Sequence, residues 1–198
     1  DTDTVLYTLS GRSNTELGWG RTDETWTFMR ALKELGGDDW FNLGDGDLAL
    51  HVWRTNRLRQ GVSPSDVTAE IAATLGVGTA ILPMCNEPVA TMVGTADGRL
   101  AFQHYFVRDS CEPIVTGFEF EGIADATINP DLVAAMANNP QAIIIAPSNP
   151  YVSIDPILAV PGMRDMLREC GAPIIAVSPI VAGQAIKGPA SKMMKELK

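Results

Sequence analysis

In the first third of the chain, hydrophobic positions recur at three- and four-residue spacing, which predicts amphipathic helices. In the first of them, Trp26, Met29 and Leu32 share one face. Ser63 precedes a proline, and this pair is typical of a capped helix start. The predicted helices cover residues 24–35, 45–58 and 64–75.

The middle of the chain changes to short apolar runs and alternation of apolar and polar residues, which is typical of strands. Asp97 and Gly98 lie between two such runs and predict a hairpin turn. The predicted strands cover residues 79–84, 89–95, 100–107 and 114–120. We therefore predict a small antiparallel insertion at about 79–120.

In the last third, two apolar runs at 142–146 and 173–178 are each followed by a loop and a helical segment. Helices are predicted at 130–138, near 161–170 and from Gly188 onward. Successive strand–loop–helix units produce parallel strands with right-handed crossovers. The predicted fold class is therefore α/β, with a parallel sheet and the antiparallel insertion.

Composition and charge restrict the class of partner. The chain has 198 residues, 45% of them hydrophobic, which suits one globular domain spanning residues 1–198. Its net charge of −9 argues against a nucleic-acid partner. No run approaches the roughly 20 apolar residues of a membrane span, so no membrane partner is expected. Three widely spaced cysteines indicate reduced thiols in a cytoplasm, and two histidines exclude a multi-histidine metal site.

Two polar loops follow the predicted parallel strands, where open α/β sheets bind ligands. Ser148, Asn149 and Ser153 follow the first strand between stiffening prolines. Lys187 follows the second strand, close to a predicted helix start that suits a phosphate. Each loop alone is also compatible with a plain connection, but two on neighbouring strands favour a ligand-binding edge. No Walker A or GxGxxG pattern is present.

The first residues of the chain offer hard oxygen donors. Asp1 and Asp3 alternate with two threonines, a set that is able to ligate Mg²⁺. A solvated chain start is the other interpretation of the same residues. Taken alone, these residues favour the solvated chain start, because acidic chain ends are common.

A second polar group follows the turn Leu43-Gly44-Asp45-Gly46-Asp47. Asp45 or Asp47 is placed to cap the next helix, and His51 and Arg54 follow within about one turn of each other. Such a pair binds an anion or a polar ring edge. A capping aspartate with a surface histidine is the competing interpretation.

In combination, these motifs resemble a known family. They occur in the order Asp1-Thr2-Asp3-Thr4, Gly18-Trp19-Gly20, Glu24-Thr25-Trp26, Trp40-Phe41-Asn42-Leu43-Gly44-Asp45, His51 with Arg54-Thr55, Pro147-Ser148-Asn149-Pro150 with Ser153, Val177-Ser178-Pro179-Ile180 and Lys187-Gly188-Pro189-Ala190. The chain closely resembles the 2-phospho-L-lactate transferases of coenzyme F-420 biosynthesis over nearly its whole length.

The resemblance implies a Rossmann-like α/β fold with helices on both faces of the sheet. It implies Mg²⁺-dependent transfer of a phospholactyl or phosphoenolpyruvyl group from a guanosine diphosphate ester. The acceptor would be a hydroxyl of the deazaflavin Fo, and GMP would be released. It also suggests a homodimer.

The resemblance assigns roles to individual residues. Asp3 is expected to be catalytic and to contact Fo or, with Asp1, the metal, and Asn42 is expected to contact Fo. The expected donor-binding residues are Ser148, Asn149, Ser153 and Lys187. Further candidates are Asp45, His51 and Arg54.

The chain departs from the family pattern in several places. Gly46 stands where the family usually has an arginine, and Met84-Cys85-Asn86-Glu87-Pro88 replaces the usual Met-Ser-Asp-Asp-Pro. The family's opening strand with its glycine-rich turn and its C-terminal part lie outside these residues, so we expect a domain truncated at both ends. Gly46 also supports an alternative function, a non-catalytic regulator that binds a nucleotide or phosphosugar on the same fold.

Overall fold

A computed structural model describes residues 2–198, whose contacts separate into two compact units. One unit runs up to Asn86 and the other spans Glu87–Lys198. Both helices and strands are present, and the predicted α/β class is confirmed. The prediction of one domain over the whole chain stays a prediction. No helix among residues 2–198 is both long and apolar enough to cross a membrane.

The first unit is helical within its described residues. Its helices are α1 (Thr2–Leu9), α2 (Thr27–Glu34), α3 (Asp45–Arg59) and α4 (Pro64–Thr74). The predictions of α3 and α4 are confirmed; at the start of α4 the Ser63 side chain accepts a hydrogen bond from the Asp66 amide. Helix α2 begins three residues later than predicted, because the preceding residues form a loop that bonds to the start of α3.

The core of this unit lies between α1 and α4. Leu6 is fully buried against Val67, Ile71 and Ala72. The strand predicted at 79–84 is wrong: these residues form no strand, because Pro83 has no amide to donate to a ladder. Their apolar character is explained by packing, since Ile81 contacts the same core cluster.

The second unit contains the antiparallel sheet. Its strands are β1 (Ala90–Thr95), β2 (Gly98–Ala101) and β3 (Val115–Glu121), in the order β2-β1-β3. The predicted hairpin turn is confirmed, with Thr95 opposite Gly98. The strand predicted over 100–107 ends at Ala101, because a π-helical turn at His104–Arg108 then carries Tyr105 into the core.

The predicted parallel strands are also present in the second unit. Strands β4 (Ile143–Ile145) and β5 (Ile174–Ala176) pair in parallel, with Ile143 opposite Ile174. The remaining elements are α5 (Pro130–Ala137), α6 (Asp155–Ala159), α7 (Met163–Glu169), the hairpin of β6 (Ile180–Val181) and β7 (Gln184–Ala185), and α8 (Ala190–Glu196).

Helix α8 is fastened to the antiparallel sheet by polar contacts around a buried core. The Lys192 ammonium donates to the Pro113 carbonyl at 2.8 Å and pairs with Glu196 at 2.7 Å. The Glu196 carboxylate in turn accepts the Val115 amide at 3.0 Å. These contacts hold Met193 against Tyr105 in the same core.

Gly122 is a position where only glycine fits, and it provides a test of this unit. Its φ is +83°, and an added Cβ would overlap the Pro88 carbonyl oxygen. We expect Gly122→Ala to lower the free energy of unfolding by about 2 kcal/mol, from backbone strain plus the displaced carbonyl.

The measurement is urea unfolding followed by circular dichroism. Gly117→Ala is the matched control, because an added Cβ there meets no atom within 4 Å. An equal loss of stability in the two variants would contradict this account of Gly122.

Candidate functional site

The N-termini of α2 and α3 are capped reciprocally by two carboxylates. Asp45 accepts the Thr27 amide at 3.1 Å, the Phe28 amide at 3.0 Å and the Thr25 hydroxyl at 2.6 Å. Glu24 accepts the amides of Gly46 and Asp47 at 2.7 and 2.8 Å. Two helix starts that expose unpaired amides are thereby joined. This arrangement fixes the direction in which α3 leaves the turn.

Asp45, predicted as a possible site residue, is occupied by this cap in the structure. The Thr25 hydroxyl and the Phe28 amide lower the pKa of Asp45, because they bond to its ionised form. The next carboxylate along α3, Asp47, lies on the face where the polar cluster forms.

The polar cluster consists of Asp3, Asp47, His51 and Arg54. Arg54 grips Asp3 through both guanidinium nitrogens: Nη1 donates to Oδ2 at 3.1 Å, and Nη2 donates to Oδ1. His51 Nε2 lies 3.7 Å from Asp3 Oδ2 and 3.9 Å from Asp47 Oδ1. The spacing of 47, 51 and 54 puts these side chains on one face of α3. The structure therefore brings together three predicted residues, Asp3, His51 and Arg54.

Tyr7 connects α1 to this cluster. Its hydroxyl donates to Asp47 at 2.6 Å from a buried position. Burial, followed by the hydrogen bond to Asp47, raises the pKa of Tyr7, so the hydroxyl stays protonated and keeps its donor role. Sequence reasoning identified Asp47 only as a possible helix cap and did not identify Tyr7 as a site residue. Both could have been found from their helical spacing, because Tyr7 lies four residues after Asp3 and Asp47 lies four residues before His51.

This cluster is the part of the described residues that fits a metal. One ligand atom each from Asp3, Asp47 and His51 lie within 4.8 Å of one another. Mg²⁺ is commonly held by one or two carboxylates and completes its shell with water and substrate phosphates, so the donor set fits. Asp1, the other predicted metal ligand, lies outside the described residues.

An open cavity of about 320 Å³ adjoins the cluster through Asp47. Its lining residues are Asn14, Leu17, Trp19, Gly20, Arg21, Asp23, Glu24, Trp26, Asn42, Gly44 and Asp47. Asn42, predicted to contact Fo, is thus in this cavity. Asp47 belongs to both the cavity and the cluster, so the two adjoin at this residue in the first unit.

The predicted donor-binding residues lie in the second unit, at the end of β4. Asn149 Oδ1 accepts the Tyr151 amide at 3.0 Å and caps a π-helical turn, Pro150–Ile154, that includes Ser153. Ser148, directly before it, is half-buried. Local chain geometry therefore brings these three residues together. Lys187 is exposed between β7 and α8.

The family comparison decides the classification. The model of the family described as 2-phospho-L-lactate transferase CofD matches residues 1–198. The chain belongs to this family. The resemblance seen in the motifs is thereby confirmed.

Curated members of the family are similar over almost the whole of this chain. The 2-phospho-L-lactate transferases of Methanosarcina mazei and Methanococcoides burtonii are 38% and 40% identical, each over 98% of it. The phosphoenolpyruvate transferase of Kitasatospora aureofaciens is 39% identical over 98%. The chain spans 63%, 62% and 62% of the lengths of these relatives, respectively.

A crystal structure of a Bacillus halodurans protein resembles the fold. It covers 87% of this chain and 51% of its own, with a TM-score of 0.58 and 17% sequence identity. A second crystal structure, of a UPF0052 family protein from the same organism, gives a TM-score of 0.54 at 18% identity, covering 85% of this chain and 49% of its own. At these identities the likeness concerns the fold alone.

The reciprocal cap generates a testable prediction. We expect Glu24→Ala to lower the free energy of unfolding by about 1 kcal/mol, because the amides of Gly46 and Asp47 lose their acceptor. Urea unfolding would measure it. Glu16→Ala, which removes an exposed carboxylate of the same unit, should leave stability nearly unchanged. If the two variants were equally stable, the cap would not hold the turn.

Proposed function

We propose that the protein transfers a phospholactyl or phosphoenolpyruvyl group from a guanosine diphosphate ester to the deazaflavin Fo, releasing GMP, in coenzyme F-420 biosynthesis. Membership in the family and the names of its relatives support this function. The observation that carries it is the cluster of Asp3, Asp47, His51 and Arg54 beside the cavity that contains Asn42.

In the proposed reaction a ribityl hydroxyl of Fo attacks the phosphorus that bears the lactyl or enolpyruvyl group. A new phosphorus–oxygen bond forms, the bond to the bridging oxygen of the diphosphate breaks, and GMP leaves. Asp3 accepts the hydroxyl proton. In the loose transition state of phosphoryl transfer the proton is lost late, and Arg54 holds the Asp3 carboxylate in position to orient the hydroxyl and receive its proton.

Positioning supplies most of the remaining catalysis. Arg54 fixes the orientation of Asp3, and Tyr7 fixes that of Asp47. Mg²⁺ held by Asp3 and Asp47, with His51 beside them, would neutralise charge on the diphosphate. Asn42 is proposed to contact Fo from the cavity.

The donor nucleotide and its phosphates are assigned to the second unit. Ser148, Asn149 and Ser153 offer hydroxyl and amide groups at the carboxyl end of β4, and Lys187 offers an exposed ammonium. We also propose a cytoplasmic homodimer. The cytoplasm agrees with three free cysteines, and the dimer rests on the family resemblance.

The activity is tested by incubating the full protein with Fo, Mg²⁺ and each donor ester in turn, and measuring GMP by chromatography. We expect GMP and the phosphodiester of Fo to form in equal amounts with at least one donor. Omission of Fo is the control, because hydrolysis alone would also release GMP. Nucleotide binding without any GMP release would instead support the non-catalytic regulator.

Asp3→Asn tests the catalytic carboxylate. The amide keeps the shape of the side chain and one acceptor oxygen for Arg54, but it takes up no proton. We expect turnover to fall at least about 100-fold, with a much smaller effect on stability. Turnover and urea unfolding are both measured, with Asp38→Asn, an exposed acid of the same unit, as control. Unchanged turnover would remove Asp3 from the site.

A further inference from the structure

The donor loop, residues 148–153, receives little support from the strand before it. Strand β4 has three residues, and Ile144 at its centre is 67% exposed. Loops that follow such a strand are mobile unless contacts with other elements hold them. The position of Ser153, at the far end of the loop, must therefore depend on contacts made outside β4.

An aromatic pair provides one such contact. The ring of Tyr151, in the middle of the donor loop, stacks on the ring of Phe118 from β3. The ring centroids are 5.5 Å apart, and the ring planes form an angle of 21°. Both side chains pack against the buried core that contains Val93 and Met193. Stacked aromatic rings attract one another beyond the apolar area that they bury, so the antiparallel sheet holds the middle of the loop.

The start of the loop is held to the same core by Asn149. Its Oδ1 accepts the Tyr151 amide at 3.0 Å, and its Nδ2 lies 3.3 Å from the Met193 sulfur. Ser148 and Ser153 lie on either side of these anchors, and both are half-buried. The positions of the two serine hydroxyls therefore depend on the anchors between them.

We propose that Tyr151 is a positioning residue for the donor, because its stack on Phe118 holds Ser148 and Ser153 where they bind the nucleotide or its phosphates. This inference rests on the proposed function, which assigns the donor to this loop. Tyr151 acts through the loop and not by contact with the donor. The apparent dissociation constant of a ligand rises as the fraction of molecules with a binding-competent loop falls. Bound donor then holds the loop in place, so the chemical step keeps its rate.

The test compares the full protein with variants of the stacked pair. We expect Tyr151→Ala to raise the KM for the donor ester about fivefold, and to raise the Kd for GDP, an unreactive analogue measured by calorimetry, by the same factor. The kcat and the KM for Fo should not change. Tyr151→Phe keeps the ring and should behave like the wild type. Phe118→Ala should match Tyr151→Ala, and the double variant should bind no more weakly than either, because all three lose one contact.

Phe106→Ala is the matched control. Phe106 stacks on Phe102 in the same unit, with ring centroids 5.3 Å apart and 25° between the planes, and it belongs to the π-helical turn at His104–Arg108. This variant loses a comparable stack away from the donor loop, so its Kd for GDP should equal that of the wild type. An equal rise in Kd for Phe106→Ala and Tyr151→Ala would indicate general loosening of the unit and would overturn the positioning role.

The outcomes separate this inference from the proposed function. Weaker GDP binding by Tyr151→Ala, with no GMP formed by the wild type from either donor ester, would support the positioning role and overturn the transferase. Transfer by the wild type, with the donor KM and the Kd for GDP unchanged in Tyr151→Ala, would overturn the positioning role and leave the transferase intact. No GDP binding and no GMP formation by the wild type would overturn both.

Two further measurements complete the test. Equally weak binding by Tyr151→Phe and Tyr151→Ala would show that the hydroxyl matters and not the stack, and would overturn the positioning role. Circular dichroism checks the fold of each variant. If Tyr151→Ala does not fold, Tyr151→Leu replaces it, because leucine fills much of the volume without a ring that stacks.

Discussion

The reciprocal capping of α2 and α3 is the interaction on which the candidate site depends. Asp45 satisfies the amides at the start of α2, and Glu24 satisfies those at the start of α3. A helix whose first amides lack partners frays, and the positions of its first side chains are then undefined. Because the caps come from the neighbouring segment, the turn before α3 and the loop before α2 are ordered together. The reciprocal caps therefore determine the position of Asp47 and the shape of the cavity beside it.

The second requirement is the placement of α1. Leu6 anchors α1 in the core formed with α4, and one face of the same helix presents Asp3 and Tyr7 to α3. Apolar burial thus determines where the carboxylate lies, and the fork of Arg54 determines how it is oriented. The proposed chemistry needs little beyond such positioning, because phosphoryl transfer is accelerated mainly by orientation and charge neutralisation.

The sequence predicted the parts of the site that are local in the chain. His51 and Arg54 follow from helical spacing, and the polar loop around Asn149 follows from its position after an apolar strand. The strand predicted at 79–84 was wrong, and the one predicted over 100–107 was too long. Short apolar runs are compatible with either a strand or a turn packed in the core until their partners are known. Tyr105 illustrates this ambiguity: it lies within the predicted strand, but in the structure it belongs to a π-helical turn and is buried in the core.

What could not be predicted are the pairings that depend on distant segments. The relation of Asp3 to Arg54 joins residues 51 positions apart. The relation of Arg21 to Gly46 joins the segment before α2 to the first turn of α3. Taken alone, Gly46 indicates that the positive charge of the family's arginine is missing, and it therefore favours a non-catalytic protein. In three dimensions the guanidinium of Arg21 lies where a side chain at position 46 would start. Gly46 alone therefore does not decide between a transferase and a regulator, because a guanidinium from another segment lies beside it.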